Sequence, residues 1–385
     1  MKADRCRGCG SENLVTLHDF GDQPLAGHYP TMPNSALPAK KYPLDLTQCG
    51  ACGLLQVTNL PPIEEVFHDD YRYSSSTVPR LVCHFHEYAE WLSQRLSSKA
   101  KVLEFGCNDG VLLERLQKRG FDCAGIDASD NVATLAREKG LNVTTGFLNT
   151  ALVLEKGYEN QFDIVTCSNV FAHIHDLSGT LQAVRALLKT NGLFAIEVHD
   201  GELLSNEGQF DTVYHEHLTY FTEDSLRGLL ERSGFEFVEC ARTTMHGGGL
   251  RFVARYLKEP SGQGEPDGAV SLLSDFVSPS IERCRAELER HYKTYGPLAG
   301  YGAAGRSQMF INFTGSDHLF SQVFDDSPFR QGRYITATDI PIVPYENNAG
   351  QCAVILAWNY AADISAKIRG NFKEVVTLLP ETRIW

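Results

Sequence analysis

The sequence predicts an α/β protein in three parts: a small metal-binding module, a doubly wound parallel sheet, and a second α/β module. Two closely spaced cysteine pairs lie in the loop-rich first 75 residues. From about residue 101 to about residue 258, short apolar segments alternate with amphipathic ones, a pattern typical of buried parallel strands separated by helices. The alternation returns after a polar stretch at 259–268 that contains Gly and Pro. We therefore place the domains at residues 1–75, 76–258 and 259–385.

Apolar periodicity assigns the individual elements. In the second domain it predicts a helix over residues 79–98, followed by the strands VLEFGC, DCAGID, FDIVTCS and LFAIEV. In the third domain it predicts a charged helix over residues 280–292 and the strands LAGYGA, QVFDD, AVILAW and EVVTLLP.

Composition limits the classes of function. The chain has 385 residues, 43% hydrophobic and 22% charged, as is usual for a globular protein. It contains no apolar run of about 18 residues and no apolar core of a signal peptide near its first residue. We therefore expect a cytoplasmic protein that does not bind membranes. A net charge of −13 argues against a nucleic-acid partner, and no obligate protein partner is evident.

The two cysteine pairs predict a structural zinc site. Cys6 and Cys9 form one CxxC pair, Cys49 and Cys52 form the other, and a glycine follows each pair. Four thiolates suit a closed tetrahedral zinc site, which leaves no open position for a substrate. The alternatives are unliganded cysteines or two redox-active pairs. The seven remaining cysteines are expected to be core residues.

The segment at residues 102–110, VLEFGCNDG, is the clearest ligand-binding signal in the second domain. Gly106 and Gly110 allow a sharp turn between a strand and a helix and a close approach of the backbone to a ligand. Asp127 ends the next strand, where a carboxylate can accept hydrogen bonds from both ribose hydroxyls. The acidic loop would repel a pyrophosphate and suits a cationic sulfonium. An ordinary strand–turn–helix without a ligand is the alternative.

This loop and its surroundings resemble class I S-adenosylmethionine methyltransferases, so a Rossmann-like methyltransferase domain is expected here. The resemblance places Gly106, Asn108 and Gly110 beside the methionine part of the cofactor. It places Glu104 and Asp109 near the cationic end, Asp127 at the ribose, and Asn169 of the fourth strand region beside the cofactor.

The segment DTVYHEHLTY at residues 211–220 is a candidate acid–base cluster. It brings Tyr214, His215, Glu216 and His217 into four consecutive positions. Histidine has the side-chain pKa closest to neutrality, and a neighbouring carboxylate makes an imidazole a better base. A metal site is the alternative, because His and Glu also bind zinc.

Taken together, these motifs resemble the nucleotide-sugar C-methyltransferase family over nearly the whole chain. The cysteine pairs, EFGCNDG, NVFAHI, YHEH and HGGGLR occur in the family in this order. The resemblance implies methylation of C-3 of a nucleotide-linked 4-keto-6-deoxy sugar, whose C-3 proton is acidic because it lies next to a ketone. It also implies that a nucleotide-diphosphate keto sugar is the binding partner.

The resemblance assigns roles residue by residue. His217 would remove the C-3 proton, Tyr214 and Glu216 would position the sugar or the base, and His173 would donate to the developing enolate. Tyr73 would reach the active site from the zinc module, although the following SSSTVP is shorter than in the family and lacks its histidine. Arg251, which ends HGGGLR, is assigned to the substrate.

The third domain contains a second glycine-rich loop, Gly300–Gly305, followed by Asp325 and Asp326 at the end of the next strand. The loop matches GxGxxG, which is weak evidence for a dinucleotide. It is also consistent with glycines that serve packing, or with a site for the sugar-nucleotide diphosphate helped by Arg306 and Ser307. The resemblance favours a degenerate Rossmann-like module that contacts the substrate.

Three other functions are compatible with the sequence. The first is an O- or N-methyltransferase of a sugar or small metabolite, which needs no base for a C–H bond. The second is a zinc-ribbon adaptor with a vestigial methyltransferase fold. The third is an NAD-dependent oxidoreductase that uses the third domain.

Overall fold

The structure is a computed structural model that describes residues 3–66, 75–257, 270–347 and 350–385. Tyr73 and the predicted linker at 259–268 lie outside these residues. Within the described ranges, no helix is both long enough and apolar enough to span a bilayer.

The N-terminal module is a small antiparallel sheet that carries the cysteine pairs at its end. Its elements are β1 (Leu14–Pro24), β2 (Lys41–Cys49), β3 (Leu55–Gln56) and the short helix α1 (Ile63–Val66). Each cysteine pair forms a tight turn in which a glycine amide donates to the carbonyl of the first cysteine: Gly10 to Cys6 at 2.8 Å and Gly53 to Cys49 at 2.9 Å. Both glycines have positive φ, which favours glycine there.

The second module is the doubly wound α/β domain that the sequence predicts. Its helices are α2 (Pro79–Ser93), α3 (Val111–Lys118), α4 (Asp130–Glu138), α5 (Thr150–Glu155), α6 (Leu177–Leu187), α7 (Glu202–Asn206) and α8 (Glu223–Arg232). Its strands are β4 (Lys101–Phe105), β5 (Asp122–Asp127), β6 (Val143–Thr145), β7 (Phe162–Ser168), β8 (Leu188–His199), β9 (Thr219–Tyr220), β10 (Phe235–Thr243) and β11 (Gly249–Tyr256).

Seven of these strands form one sheet in the order β10-β11-β8-β7-β4-β5-β6. The five strands from β8 to β6 are parallel, and β11 and β10 complete the edge in antiparallel pairing. The carboxyl ends of β4, β7 and β8 therefore meet at one edge, where ligands bind in open α/β sheets. The glycine loop, Asn169 and the end of β8 all lie at this edge.

Strand β9 belongs to a different sheet. It pairs with β3 of the N-terminal module, with Leu55 opposite Tyr220 and Gln56 opposite Thr219. Because β9 directly follows the YHEH segment, that segment is bound to the cysteine-bearing module by backbone hydrogen bonds. The first two modules therefore share a sheet.

The third module is a second open α/β sheet. Its elements are α9 (Val277–Tyr295), β12 (Leu298–Tyr301), α10 (Gly305–Thr314), β13 (Phe320–Phe324), β14 (Arg333–Tyr334), β15 (Pro341–Val343), β16 (Gly350–Ile355), α11 (Ala361–Ile368), β17 (Phe372–Thr377) and β18 (Arg383–Ile384). The strand order is β14-β15-β13-β12-β16-β17-β18, with five central parallel strands. One apolar core joins this sheet to the N-terminal module and to the segment around Phe210.

Two helix boundaries differ from the prediction. Helix α2 ends at Ser93 rather than at residue 98, because a turn closed by the Ala100 amide and the Ser97 carbonyl leads into β4. Helix α9 begins at Val277 rather than at residue 280. The Asp275 carboxylate accepts hydrogen bonds from the amides of Val277 and Ser278, and so caps the earlier turn.

A buried ion-pair cluster holds α2 against the sheet. Glu197 on β8 lies opposite Arg251 on β11, and its carboxylate accepts from Arg251 Nε at 2.6 Å. His84 of α2 lies 2.6 Å from the other Glu197 oxygen. Although burial opposes ionisation, His84 and Arg251 hold the pKa of Glu197 down at about 2. The carboxylate is therefore charged and depends on its partners.

We predict that Arg251→Met lowers the thermal midpoint of unfolding by at least about 5 °C, because it leaves a buried carboxylate without its guanidinium partner. Arg255→Met is the matched control, since Arg255 is exposed on the same strand. Differential scanning fluorimetry measures both variants. Equal midpoints for Arg251→Met and Arg255→Met would show that the cluster does not stabilise the fold.

Candidate active site

The glycine loop after β4 has the backbone that close approach to a ligand requires. Gly106 and Gly110 have φ of 66° and 78°, and Asn108 between them has φ of 50°. A Cβ at Gly106 would lie 2.2 Å from Val170, and one at Gly110 would lie 2.2 Å from Leu141. Neither position accepts a side chain, so the loop stays tightly against its neighbours.

Glu104, at the end of β4, carries a buried carboxyl group that lacks a full set of partners. It is 2% exposed, and within the described residues its Oε2 has no hydrogen-bond partner. Burial, followed by the charges of Asp127 and Asp109, raises the pKa of Glu104 well above its usual value. A cationic ligand group at this position would relieve that cost. The residues therefore fit S-adenosylmethionine, which carries an ammonium and a sulfonium.

Asp127 and Asp109 differ in their surroundings. Asp127 accepts from the Asn108 amide at 2.7 Å and the Ser129 amide at 2.9 Å, which fixes the carboxylate at the loop. Asp109 is buried and lies 3.2 Å from Lys139 Nζ at the end of α4. Asp127 thus lies beside the glycine loop at the end of β5, and its ribose role stays a prediction, whereas Asp109 also connects the loop to α4.

The turn after β7 connects the glycine loop to the acid–base segment. Asn169 has φ of 55°, and its amide donates to the Glu197 carbonyl at 2.8 Å. Val170 packs on Gly106, and His173 follows within the same turn. The Leu218 amide donates to the Ala172 carbonyl at 2.9 Å, so the YHEH segment lies directly against this turn.

His217 and Tyr214 form a hydrogen-bonded pair. The His217 Nδ1–H donates to the Thr212 carbonyl at 2.9 Å, which leaves Nε2 as the acceptor of the neutral ring. The Tyr214 hydroxyl lies 2.9 Å from Nε2 and donates to it. Burial, and then the neighbouring His173, hold the pKa of His217 well below its usual value. The ring is therefore neutral at physiological pH.

His173 faces His217, with ring centroids 4.9 Å apart. Its Nδ1–H donates to the Glu216 carbonyl at 2.7 Å, and burial lowers its pKa. The ring therefore connects the turn after β7 to the backbone at Glu216, and its donation to an enolate stays a prediction.

Glu216 and His215 point toward the other modules. The Glu216 carboxyl lies beside Gly27, where a Cβ would be 3.4 Å from Oε1, and burial raises the pKa of Glu216 to about 8. His215 is buried, and its Nε2–H donates to the Pro43 carbonyl at 3.2 Å on β2. His215 and His217 thus have separate partners, and the described residues do not join them in a metal-binding group.

Arg306 and Trp358 of the third module contact the start of the acid–base segment at residues 211–220. Arg306 Nε and an amino group donate to the Asp211 carboxylate at 3.1 and 2.9 Å, and Trp358 Nε1 donates to it at 2.9 Å. Arg306 also donates to the His246 carbonyl at 2.7 Å. Arg306 is therefore engaged with protein groups, as Arg251 is with Glu197, and the assignment of both guanidinium groups to the substrate stays a prediction.

The second glycine-rich loop is bounded by protein contacts. Asp325 accepts from the Ala303 amide at 2.7 Å and from Arg330 at 3.1 Å. Ala26 of the N-terminal module lies against Gly305, where a Cβ would be 3.3 Å from the Ala26 Cβ. Ser307, at the start of α10, is 1% exposed, and among the described residues its Oγ has no partner.

Two further histidines lie near this edge and were not predicted as site residues. His199 ends β8, and its Nε2–H donates to Gln209 Oε1 at 2.9 Å. His246 lies in HGGG with φ of 54°. Burial and Arg306 lower the pKa of His199 to about 3 and that of His246 to about 4. The sequence contained a signal for His199, because a histidine directly after a predicted strand lies at the carboxyl edge of the sheet, where ligands bind.

The four paired cysteines converge on one point. The Sγ atoms of Cys6 and Cys52 are 3.5 Å apart, and those of Cys9 and Cys49 are 3.7 Å apart. All four ligand atoms lie within 4.8 Å of one another. A tetrahedral zinc thiolate site has sulfur–sulfur distances of about 3.8 Å, so the donor set fits structural zinc.

Comparisons with known proteins agree with this architecture. Family models match residues 6–67 ("Putative zinc binding domain"), 76–240 ("Methyltransferase domain") and 276–379 ("C-methyltransferase C-terminal domain"). The C-methyltransferase NovU of Streptomyces niveus is 31% identical over 99% of this chain and 96% of its own length. These matches confirm the predicted fold class, in which a class I methyltransferase domain follows a zinc-binding module along the chain. They also confirm that the methyltransferase depends on S-adenosylmethionine.

Other relatives match less than half of this chain. The ubiquinone biosynthesis O-methyltransferase of Pasteurella multocida is 36% identical over 24% of this chain and 43% of its own. Among solved structures, 1,6-didemethyltoxoflavin-N1-methyltransferase of Burkholderia thailandensis is 23% identical with a TM-score of 0.37, covering 45% of this chain and 78% of its own. Magnesium protoporphyrin IX methyltransferase of Synechocystis is 18% identical with a TM-score of 0.37, covering 46% and 83%.

We predict that Glu104→Gln raises the dissociation constant of S-adenosylmethionine about 10- to 100-fold, because it removes a charge-assisted interaction. Isothermal titration calorimetry measures the constant. Because the pKa of Glu104 is raised and a bound cation would lower it again, we expect binding to the native protein to release protons. Glu114→Gln, on α3, is the control. Unchanged affinity in Glu104→Gln would exclude this carboxyl from the cofactor site.

We predict that Glu216→Gln stabilises the protein progressively as the pH rises from 5 to 8. A carboxyl group whose pKa is raised from 4.5 to about 8 in the folded state binds its proton more tightly there than in the unfolded chain. Stability therefore falls with increasing pH across that window, and glutamine removes the fall. The thermal midpoints of Glu216→Gln and of the native protein, measured at several pH values, should differ by at least about 2 °C at the upper end of this range.

The control for this pH series is Glu231→Gln, an exposed position on α8. Its midpoint should follow the native protein at every pH. If the midpoint of Glu216→Gln also follows that of the native protein at every pH, Glu216 is hydrated and ionised at neutral pH.

Proposed function

The chain belongs to the C-methyltransferase family that includes NovU, and we propose that it methylates C-3 of a nucleotide-linked 4-keto-6-deoxy sugar through an enolate. The observation that carries this proposal is the neutral, half-buried His217, held with Tyr214 beside the turn that packs on the glycine loop. S-adenosylmethionine supplies an electrophilic methyl group when it is bound.

A base is needed because the group to be methylated is carbon. A C–H bond next to a ketone loses its proton only to a positioned base, and an imidazole that stays neutral at physiological pH is suited to that task. The Thr212 carbonyl fixes the tautomer of His217, so that the lone pair is on Nε2, toward Tyr214. This arrangement supports proton removal by the Tyr214–His217 pair.

The proton leaves the C-3 carbon and ends on His217 Nε2. It reaches Nε2 either directly or through the Tyr214 oxygen, which accepts the substrate proton as its own hydroxyl proton moves to the imidazole. The electron pair of the C–H bond forms the carbon–carbon double bond of the enolate, and the π electron pair of the ketone moves to its oxygen. The second route uses the 2.9 Å contact between the two side chains, whereas the first requires the Tyr214 hydroxyl to leave Nε2.

Glu216 is suited to contact a neutral oxygen of the sugar. With its pKa raised to about 8, the carboxyl is protonated at neutral pH and can donate a hydrogen bond. Its position beside exposed Gly27 places it at the edge of the N-terminal module. Together with Ser307 Oγ at the start of α10, it supports a substrate position between the three modules.

Deuterium exchange tests the proposal. The protein is incubated in heavy water with a nucleotide-linked 4-keto-6-deoxy sugar and S-adenosylhomocysteine, which fills the cofactor site without supplying a methyl group. We expect deuterium at C-3, and a loss of at least about 100-fold in the exchange rate in His217→Asn. Mass spectrometry and proton NMR locate the label.

Two further variants interpret the result. His318→Asn, at an exposed histidine, is the control and should exchange at the native rate. Tyr214→Phe distinguishes the routes, since exchange survives in this variant only if Nε2 meets the C-3 proton directly. Native exchange in His217→Asn, or no exchange in the native protein with any such sugar, would refute the proposed reaction.

A further inference from the structure

The third module contains a cluster of potential metal ligands that lies outside the candidate active site. Its members are His291 of α9, Cys352 of β16 and Glu374 of β17. Cys352 and Glu374 are register partners on adjacent parallel strands, so their side chains project from the same face of the sheet. His291 continues the buried face of α9 after Cys284 and Leu288. The fold therefore brings all three side chains together beneath the helix.

The ligand atoms converge closely. His291 Nδ1 lies 2.7 Å from Glu374 Oε1 and 4.0 Å from Cys352 Sγ, and all three atoms lie within 4.8 Å of one another. Tetrahedral zinc would separate nitrogen from oxygen by about 3.3 Å and nitrogen from sulfur by about 3.5 Å. Shifts of about 0.5 Å at side chains are enough to reach that geometry.

The carboxylate of Glu374 directs one oxygen into the cluster. Its Oε1 is buried and lies 2.7 Å from His291 Nδ1, and that imidazole is its partner among the described residues. Tyr295 donates to the other oxygen, Oε2, at 3.2 Å and so directs Oε1 inward. His291 and Cys352 are 0% and 1% exposed, whereas the Glu374 side chain is 16% exposed. An ion can therefore enter past Glu374 and find a largely dry site.

We propose that His291, Cys352 and Glu374 bind a second zinc ion, with water as the fourth ligand on the side of Glu374. One thiolate, one imidazole and one carboxylate form a donor set that zinc accepts. Cys352 and Glu374 lie near the amino ends of their strands, whereas the second glycine loop and Trp358 follow carboxyl ends. The ion is thus structural, linking α9 to β16 and β17.

Arg290 and Glu287 control the tautomer of His291. Arg290 donates to His291 Nε2 at 2.8 Å, which favours a proton on Nδ1, the nitrogen that would bind the ion. Glu287 Oε2 lies 3.7 Å from Nε2 and also holds Arg290 at 2.8 Å. When zinc occupies Nδ1, the Nε2–H donates to Glu287 instead, the usual arrangement of a carboxylate behind a zinc-bound histidine. Arg290 therefore competes with the metal.

Metal content tests the proposal. The full-length protein is loaded with excess Zn²⁺, desalted and analysed by inductively coupled plasma mass spectrometry. We expect two zinc ions per native chain and one in His291→Asn, which leaves the four N-terminal cysteines intact. His318→Asn should keep two ions. One ion in both the native protein and His291→Asn would overturn the proposal.

Two measurements remain informative if His291→Asn does not fold. Arg290→Met, at a side chain that is 53% exposed, should tighten the second site at least about threefold in a competition titration with a zinc chelator. Co²⁺ titration of the native protein should fill two sites, and only one of them should show the spectrum of four thiolates. A single cobalt site, or no effect of Arg290→Met on a second site, would contradict the proposal.

Discussion

The position of the candidate base depends on the buried carboxylate of Asp211. Asp211 is 1% exposed and accepts hydrogen bonds from Arg306 and Trp358 of the third module. The next residue, Thr212, provides the carbonyl that holds His217 in one tautomer. A buried carboxylate is stable only with such partners. Closure of the third module and the orientation of the imidazole are therefore parts of one network.

The zinc module acts on the same segment from the other side. Strand β9 begins two residues after His217 and completes the sheet of β3, while His215 donates to the Pro43 carbonyl on β2. The cysteine turns close the end of that sheet, and Cys6 and Cys49 are buried in a core shared with α8. Zinc bound by the four cysteines would thus stabilise the module that holds the candidate base in place.

The sequence predicted features that depend on nearby residues. Strand periodicity, the cysteine turns and the Gly106–Gly110 loop each involve neighbours a few positions away, and all are present in the structure. The surroundings of Arg251 and Arg306 could not be read in this way. Their carboxylate partners, Glu197 and Asp211, are 54 and 95 positions away. From the sequence alone, an arginine that binds a substrate cannot be distinguished from one that pairs with a buried carboxylate.

Four acidic residues differ in their expected roles because their surroundings differ. Glu197 and Asp211 meet a guanidinium, so they are structural. Glu104 and Glu216 lie at the predicted cofactor and base positions, and burial raises the pKa of each above its usual value. Placing them there costs free energy that folding alone does not recover. A cationic cofactor at Glu104 and a sugar oxygen at Glu216 would each recover it, so the same two groups that weaken the empty fold would strengthen the complex.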